Sequence, residues 1–479
     1  MGSGSSMVVL MKKTSKLGQS GQKSLDLPSQ EGEASGQHTA SKTYGLMTTI
    51  AMIVGIVVGS GIYFRADDVY LYTSGNLALG IMALTLAAIC IIFGSLTFSY
   101  LAIRTETEGG LVGYFAQFVS KKSATGYGWF FLYVYCPAIT TVVAWAAAIY
   151  TFMLLGVEAS LGQQILLGLA YTAFLLLLNI LSRQLGGYLQ NLSTVIKMIP
   201  LILIAFYGIF LAPPLSGEAL QVPSFAQEFS KFGWITALVP LMYSYDGWTL
   251  ALNIAPEVVD AKRNMKKALI ISPLIVLATY VLYMVGIYKT LGGPQIIALG
   301  DDSIYVAAKQ IFGDRWSNVV LVVVIISVLG VLNGLILSSI RLPQALADQS
   351  IIPGKSLARI SPKLQLSPRS AGLFGLLVLA WTLIHYLVMK FNLFNGGDVS
   401  EISIAFNYAM YIILYLAVFR LGKAEQNKQA MIVSVLAMIG SCLILAGSIL
   451  SSPLYVLLFF SICLSVYLMG LRYSKQQNQ

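Results

Sequence analysis

Residues 56–64 read Ile-Val-Val-Gly-Ser-Gly-Ile-Tyr-Phe, "IVVGSGIYF". They interrupt an apolar stretch, roughly 44–72, that is long enough to cross a bilayer. Glycine is the weakest ordinary helix former, so Gly59-Ser60-Gly61 invites a break. A break at bilayer depth frees backbone N–H and C=O groups that lipid cannot satisfy. Such a break is tolerated only where it faces protein or a polar cavity, and that requirement organises the rest of the chain.

The composition places this stretch in a membrane. The 479 residues are 57% hydrophobic and 10% charged, whereas soluble domains carry about 25% charged residues. About twelve apolar stretches have the ~20 residues of a spanning helix, the last at roughly 452–472. No segment shows the short alternation of a barrel strand, so the class is all-α and integral to the membrane. The net charge of +10 does not require a nucleic-acid partner. With the N-terminus placed inside, most Lys and Arg fall in inner loops, as in Lys262/Arg263/Lys266/Lys267 and Arg341/Lys355/Arg359. This positive-inside bias predicts both termini in the cytoplasm.

Residues 1–41 are polar and rich in Gly, Ser and Gln, and are expected to be disordered; Met1–Ser6 reads as a tag remnant. Residues 42–474 form the membrane domain, and 475–479 a short cytoplasmic tail. Cys90, Cys136, Cys442 and Cys463 all fall in predicted spans, where cysteine behaves as a small hydrophobe.

A second fault lies five spans on, in "LMYSYDGWTLALNIAPEV" at 241–258, where Ser244-Tyr245-Asp246-Gly247 breaks an apolar run. Interrupted spans at matching positions of two halves point to an inverted-repeat transporter with a midplane site. Unwinding the first span frees the amides of Ser60, Gly61 and Ile62, which attract an anion. The carbonyls near Val57, and those near Tyr243 and Asp246, attract a cation. A ligand carrying both charges about one bond apart is an α-amino acid. The other account of Gly-Ser-Gly is close helix packing.

These segments resemble the amino acid–polyamine–organocation transporter superfamily. "VVGSGIYF" is similar to its first-span signature. "EGGLVGYF" (108–115), "NLSTVIKMIPL" (191–201), the 243–272 junction and "NGLILSSIRLPQALADQSIIP" (333–353) agree in order and spacing, the second of them with the L-amino acid transporter branch. Asp260-Ala261 and Lys266 depart from the family pattern in an inner loop. The resemblance implies a LeuT-like 5+5 inverted repeat, with halves at about 44–211 and 233–420, plus two further helices at about 429–472. It implies twelve spans in all. Ser60, Gly61 and Ile62 would hold the substrate carboxylate, and the carbonyls of Val57, Tyr243 and Asp246 its ammonium. Tyr243 would close over the substrate, and Glu257 would act at the inner gate or in a loop ion pair.

Lys197 lies well within the fifth span, where a charge costs about 2.5–3.5 kcal/mol on insertion scales. The resemblance puts its ammonium where sodium-coupled relatives bind sodium, against carbonyls near Gly55 or Val58 and a hydroxyl of Ser338 or Ser339. A fixed cation there makes transport sodium-independent; proton coupling and a snorkelling lysine are the alternatives. Asp246 could contact substrate or satisfy loosened backbone. Trp248 could reach the side-chain pocket or pack. Tyr127, Trp129, Tyr133 and Tyr135 read as belt or packing residues, and His385 as a core histidine.

The expected function is sodium-independent exchange of small neutral L-amino acids across the cell membrane by alternating access. A proton symporter and a non-transporting sensor are the rival readings. No enzymatic constellation, metal-ligand spacing or cofactor motif is present in the sequence. The loop "LLGVEASLGQQ" (154–164) lacks the cysteine through which animal members of the branch join an ancillary glycoprotein. A chain acting as a monomer, without a disulfide-linked partner, is expected.

Overall fold

The computed structural model describes residues 45–104, 110–182, 192–193, 195–217, 221–249, 252, 258–364, 366–393, 397–451 and 453–477. Among them the chain is helical, and ten helices are long and apolar enough to cross a membrane. The twelve-span expectation is therefore matched in class, and in ten of its members by length.

The first span is two helices, α1 (Leu46–Val57) and α2 (Ser60–Tyr72). Then come α3 (Leu77–Ala102), the short α4 (Gly110–Phe118) and α5 (Lys121–Phe130). A π-helical turn, Phe131–Tyr135, joins α5 to α6 (Cys136–Leu155) within the third span. Helices α7 (Leu161–Leu181) and α8 (Met198–Phe210) complete the first half. The second half opens with α9 (Phe225–Ser230) and α10 (Leu238–Ser244), and continues with α11 (Ala261–Leu291), α12 (Gly293–Leu299) and α13 (Ser303–Ser339), which is broken at Gly313, where φ is +76°. The chain closes with α14 (Leu342–Asp348), α15 (Pro368–Lys390), α16 (Val399–Ala424), α17 (Lys428–Ser451) and α18 (Pro453–Gln477).

Local chemistry sets several of these boundaries. Asn76, Ser120, Ser160, Ser367 and Asp398 each accept a hydrogen bond from a first-turn amide, capping α3, α5, α7, α15 and α16. Ser160 and Gln163 form a reciprocal capping box. The long helices carry little amphipathic signal, because lipid replaces water on their outer faces. Large apolar side chains such as Leu166, Phe206 and Leu457 are exposed on them. Helix α11 packs against α1, α3 and α8, and α13 against α6. These neighbours enclose the two broken spans.

Candidate functional site

Helix α1 stops at Val57 because the next two residues are extended: Val58 has φ −71°, ψ 111°, and Gly59 has φ −169°, ψ −133°. Val58 still donates to Val54 O at 2.8 Å. The last carbonyls of a helix have no internal partner, and two of them find partners from other spans. The Gly55 carbonyl accepts from the Lys197 ammonium. The Val57 carbonyl lies 3.2 Å from the hydroxyl of Tyr280, on α11. At the start of α2, the backbone of Ser60, Gly61 and Ile62 forms a first turn whose amides lack helical acceptors.

The second break mirrors the first. Helix α10 ends at Ser244; Tyr245 donates to Leu241 O at 2.9 Å and Asp246 to Tyr243 O at 3.1 Å. Gly247 then takes φ +92°, a conformation that side chains rarely adopt. The freed Ser244 carbonyl accepts from the same Tyr280 hydroxyl at 2.8 Å. The two breaks touch backbone to backbone. A Cβ on Gly61 would sit 2.3 Å from Ser244 Cα, so only glycine fits there.

A cavity opens at this junction, lined among others by Val57, Gly61, Tyr243, Asp246 and Gly247. Four residues expected from the sequence to bind substrate thus share one wall. Ile139 and Val143 of α6 and Val331 and Leu335 of α13 supply the apolar remainder. Ile62 is buried and is not among the residues lining the cavity. Trp248 is turned away from the cavity: it stacks on Phe98 with ring centroids 5.5 Å apart and meets Tyr411 at 6.2 Å. Its bulk fills the space between α3 and α16, which gives it a packing position. Glu257 lies outside the described residues.

Lys197 is fully buried and does not snorkel to a surface. Its own carbonyl accepts from the Tyr63 hydroxyl at 2.8 Å, so the fifth span holds α1 through Gly55 and α2 through Tyr63, on the two sides of the first break. The hydroxyl partners expected on the eighth span are elsewhere. Ser338 is exposed and donates to Leu335 O at 3.0 Å, while Ser339 neighbours Cys136. Successive residues of a helix are turned by about 100°, which gives Ser338 and Ser339 different surroundings, and neither hydrogen-bonds the lysine.

Three further groups were not singled out for the site by the sequence. Tyr280 is one tyrosine among several on α11, and only its place opposite both breaks marks it. Tyr135, read as a belt or packing residue, donates toward both carboxylate oxygens of Asp246, at 2.8 and 2.7 Å. Arg65 stands one turn along α2 from Gly61, with its guanidinium 5.0 Å from the Tyr243 ring centre. It pairs with Asp68 at 3.0 Å, with Glu401 at 3.3 Å and with Asp398, which caps α16. The charged run "RADD" at 65–68 was a legible signal for this cluster. Nearby, in the turn between α12 and α13, burial and the Asp68 charge push the Asp301 carboxyl up to about 7.

His385 is buried on α15 with its ring 4.8 Å from Trp145, in the core position expected of it. Among the described residues, no group of His, Cys, Asp and Glu could hold a metal ion.

The sequence profile of the amino acid permease family matches residues 44–471. The serine/threonine exchanger SteT of Bacillus subtilis is 27% identical over 421 residues, covering 86% of this chain and 92% of its own. The human b(0,+)-type amino acid transporter 1 is 24% identical over 448 residues, 90% of this chain and 88% of its own. The human cystine/glutamate transporter is 23% identical over 316 residues, 64% of this chain and 61% of its own.

Proposed function

The chain belongs to the amino acid permease family, and from that premise we propose that it exchanges small neutral L-amino acids across the cell membrane, independently of sodium, by alternating access. Amino acid transport is the activity its relatives share by name. One observation carries the finer reading: two broken spans meet backbone to backbone at a single cavity, with free amides on one side and carbonyls on the other.

The roles follow from charge. The first-turn amides of α2, at Ser60, Gly61 and Ile62, hold the carboxylate. The ammonium is held by the carbonyl ends of the two breaks, near Val57 and in the segment Tyr243–Asp246. The side chain points at Ile139, Val143, Val331 and Leu335, whose bulk favours small residues. Lys197 supplies a fixed positive charge at the end of α1, where a coupling cation would otherwise be needed. Tyr243 roofs the cavity, and the Arg65 cluster above it closes the path from outside. The spans form a 5+5 inverted repeat with both termini cytoplasmic, and the chain works as a monomer without a disulfide-linked subunit.

Proteoliposomes loaded with radiolabelled alanine or serine test this. Efflux that requires an external amino acid, and that ignores sodium and a pH gradient, is the expected result. Sodium dependence would overturn the role of Lys197. A pH-gradient-driven flux would favour a proton symporter, and binding without flux a sensor.

A further inference from the structure

The third span carries a distortion that holding an amino acid backbone does not require. Pro137 has no N–H, so the carbonyl of Tyr133, four residues earlier, loses its helical donor. The helix answers with the π-turn Phe131–Tyr135. The orphaned Tyr133 carbonyl accepts instead from the indole Nε1 of Trp381, on α15, at 2.7 Å. Such single π-turns widen the helix and re-aim the residues beside them.

The re-aimed residue is Tyr135. Its ring is buried, stacked on Phe131 at 5.0 Å, and its hydroxyl stands between the two oxygens of Asp246. The Tyr135 O–H and the Gly247 backbone N–H supply two donors to a carboxylate that has about four acceptor positions. The other side chains around that wall, Ile139, Val143, Val331 and Leu335, donate nothing. Ile139 and Val143 follow Tyr135 at four and eight residues, so the same face of the span carries them. The result is an apolar pocket with one acceptor that has room for a further donor, held at a fixed angle.

We propose that Tyr135, held in place by Trp381, is the positioning residue that sets side-chain selectivity: it fixes Asp246 to accept a hydrogen bond from a short substrate side chain, so that hydroxyl amino acids are chosen over apolar ones of equal size. The inference rests on the reading of this cavity as the amino acid site. Threonine and valine are the informative pair. Threonine gives Asp246 a further donor. Valine has the same shape and offers none, while displacing water from a half-buried carboxylate, which is the costly case. Without Tyr135 the carboxylate is free to turn, and it must draw a proton or a cation from elsewhere; the distinction between hydroxyl and methyl then fades.

The test uses the full chain in proteoliposomes loaded with radiolabelled alanine, with efflux driven by external threonine or valine. The readout is the ratio of the two apparent affinities, which does not depend on how much protein is active. The wild type should favour threonine by at least about tenfold. Tyr135→Phe should bring the ratio close to one. Trp381→Phe keeps both Tyr135 and Asp246 while removing the donor to Tyr133 O. It should lower the ratio through a higher KM for threonine at unchanged maximal rate, and it decides the matter if Tyr135→Phe does not fold. A threonine preference that survives in the variants overturns the proposal. So does alanine exchange by the wild type with no threonine preference. Absence of any alanine flux overturns the transport reading instead.

Discussion

The ammonium of Lys197 donates to the carbonyl of Gly55, tying the fifth span to the end of α1. Both groups are buried. A hydrogen bond from a charged donor contributes about 1.5–3 kcal/mol, and the carbonyl left behind adds its own penalty. Replacing Lys197 by Ala should therefore reduce exchange by about tenfold or more, measured as efflux from proteoliposomes. Unchanged kinetics would remove the lysine from the mechanism.

Gly61 has no room to grow. Its Cβ would overlap Ser244 Cα, and backbone cannot swing aside as a flexible side chain can. Gly61→Val should abolish exchange and lower the thermal stability of the detergent-solubilised protein, because the clash is with backbone. Exchange that survives in the variant would contradict the contact.

Tyr280 serves both breaks through one hydroxyl. In Tyr280→Phe the Ser244 and Val57 carbonyls lose that donor, at a cost of about 1–3 kcal/mol. Thermal stability without substrate should fall. Added alanine should then raise the melting temperature more in the variant than in the wild type, because the ammonium restores a donor to the same carbonyls. Equal shifts would place substrate away from them.

Asp301 gives a pH dependence of known sign. Its carboxyl titrates near 3.8 in an unfolded chain and at about 7 in the fold. Between those values the folded protein binds more protons, so stability falls as pH rises from about 4 to about 7. Asp301→Asn should flatten the melting temperature over that window, in a thermal scan series from pH 5 to pH 8. A wild-type profile without this slope would contradict the burial of the group.

Much of this was legible beforehand for a physical reason. Breaks at Gly59–Gly61 and Ser244–Gly247 violate the strongest rule a spanning chain obeys, so each announces itself locally. Lys197 was equally visible as a charge in an apolar run, and the family resemblance offered Gly55 or Val58 as its carbonyl partner, of which the structure has Gly55. What the sequence hid are contacts between distant spans. Nothing near Tyr280 distinguishes it from Tyr283 on the same helix. Tyr135 looked like one more aromatic, although Pro137 two residues on was a clue to a re-aimed helix. Trp248 was drawn toward the cavity by its position next to Gly247. Its rotation onto Phe98 depends on α3 and α16, which no local pattern reports. Neither Ser338 nor Ser339 hydrogen-bonds the lysine, because the phase of the helix that carries them is set by packing that no local pattern reports.

The Arg65 cluster has a consequence for ionic strength. Its guanidinium and the carboxylates of Asp398 and Glu401 are shielded from solution, and dissolved ions barely act on pairs so enclosed. If the cluster is the outer closure proposed above, opening it would bring the same charges to water, where they would gather counterions. A non-transported salt would then favour the open state without occupying a site.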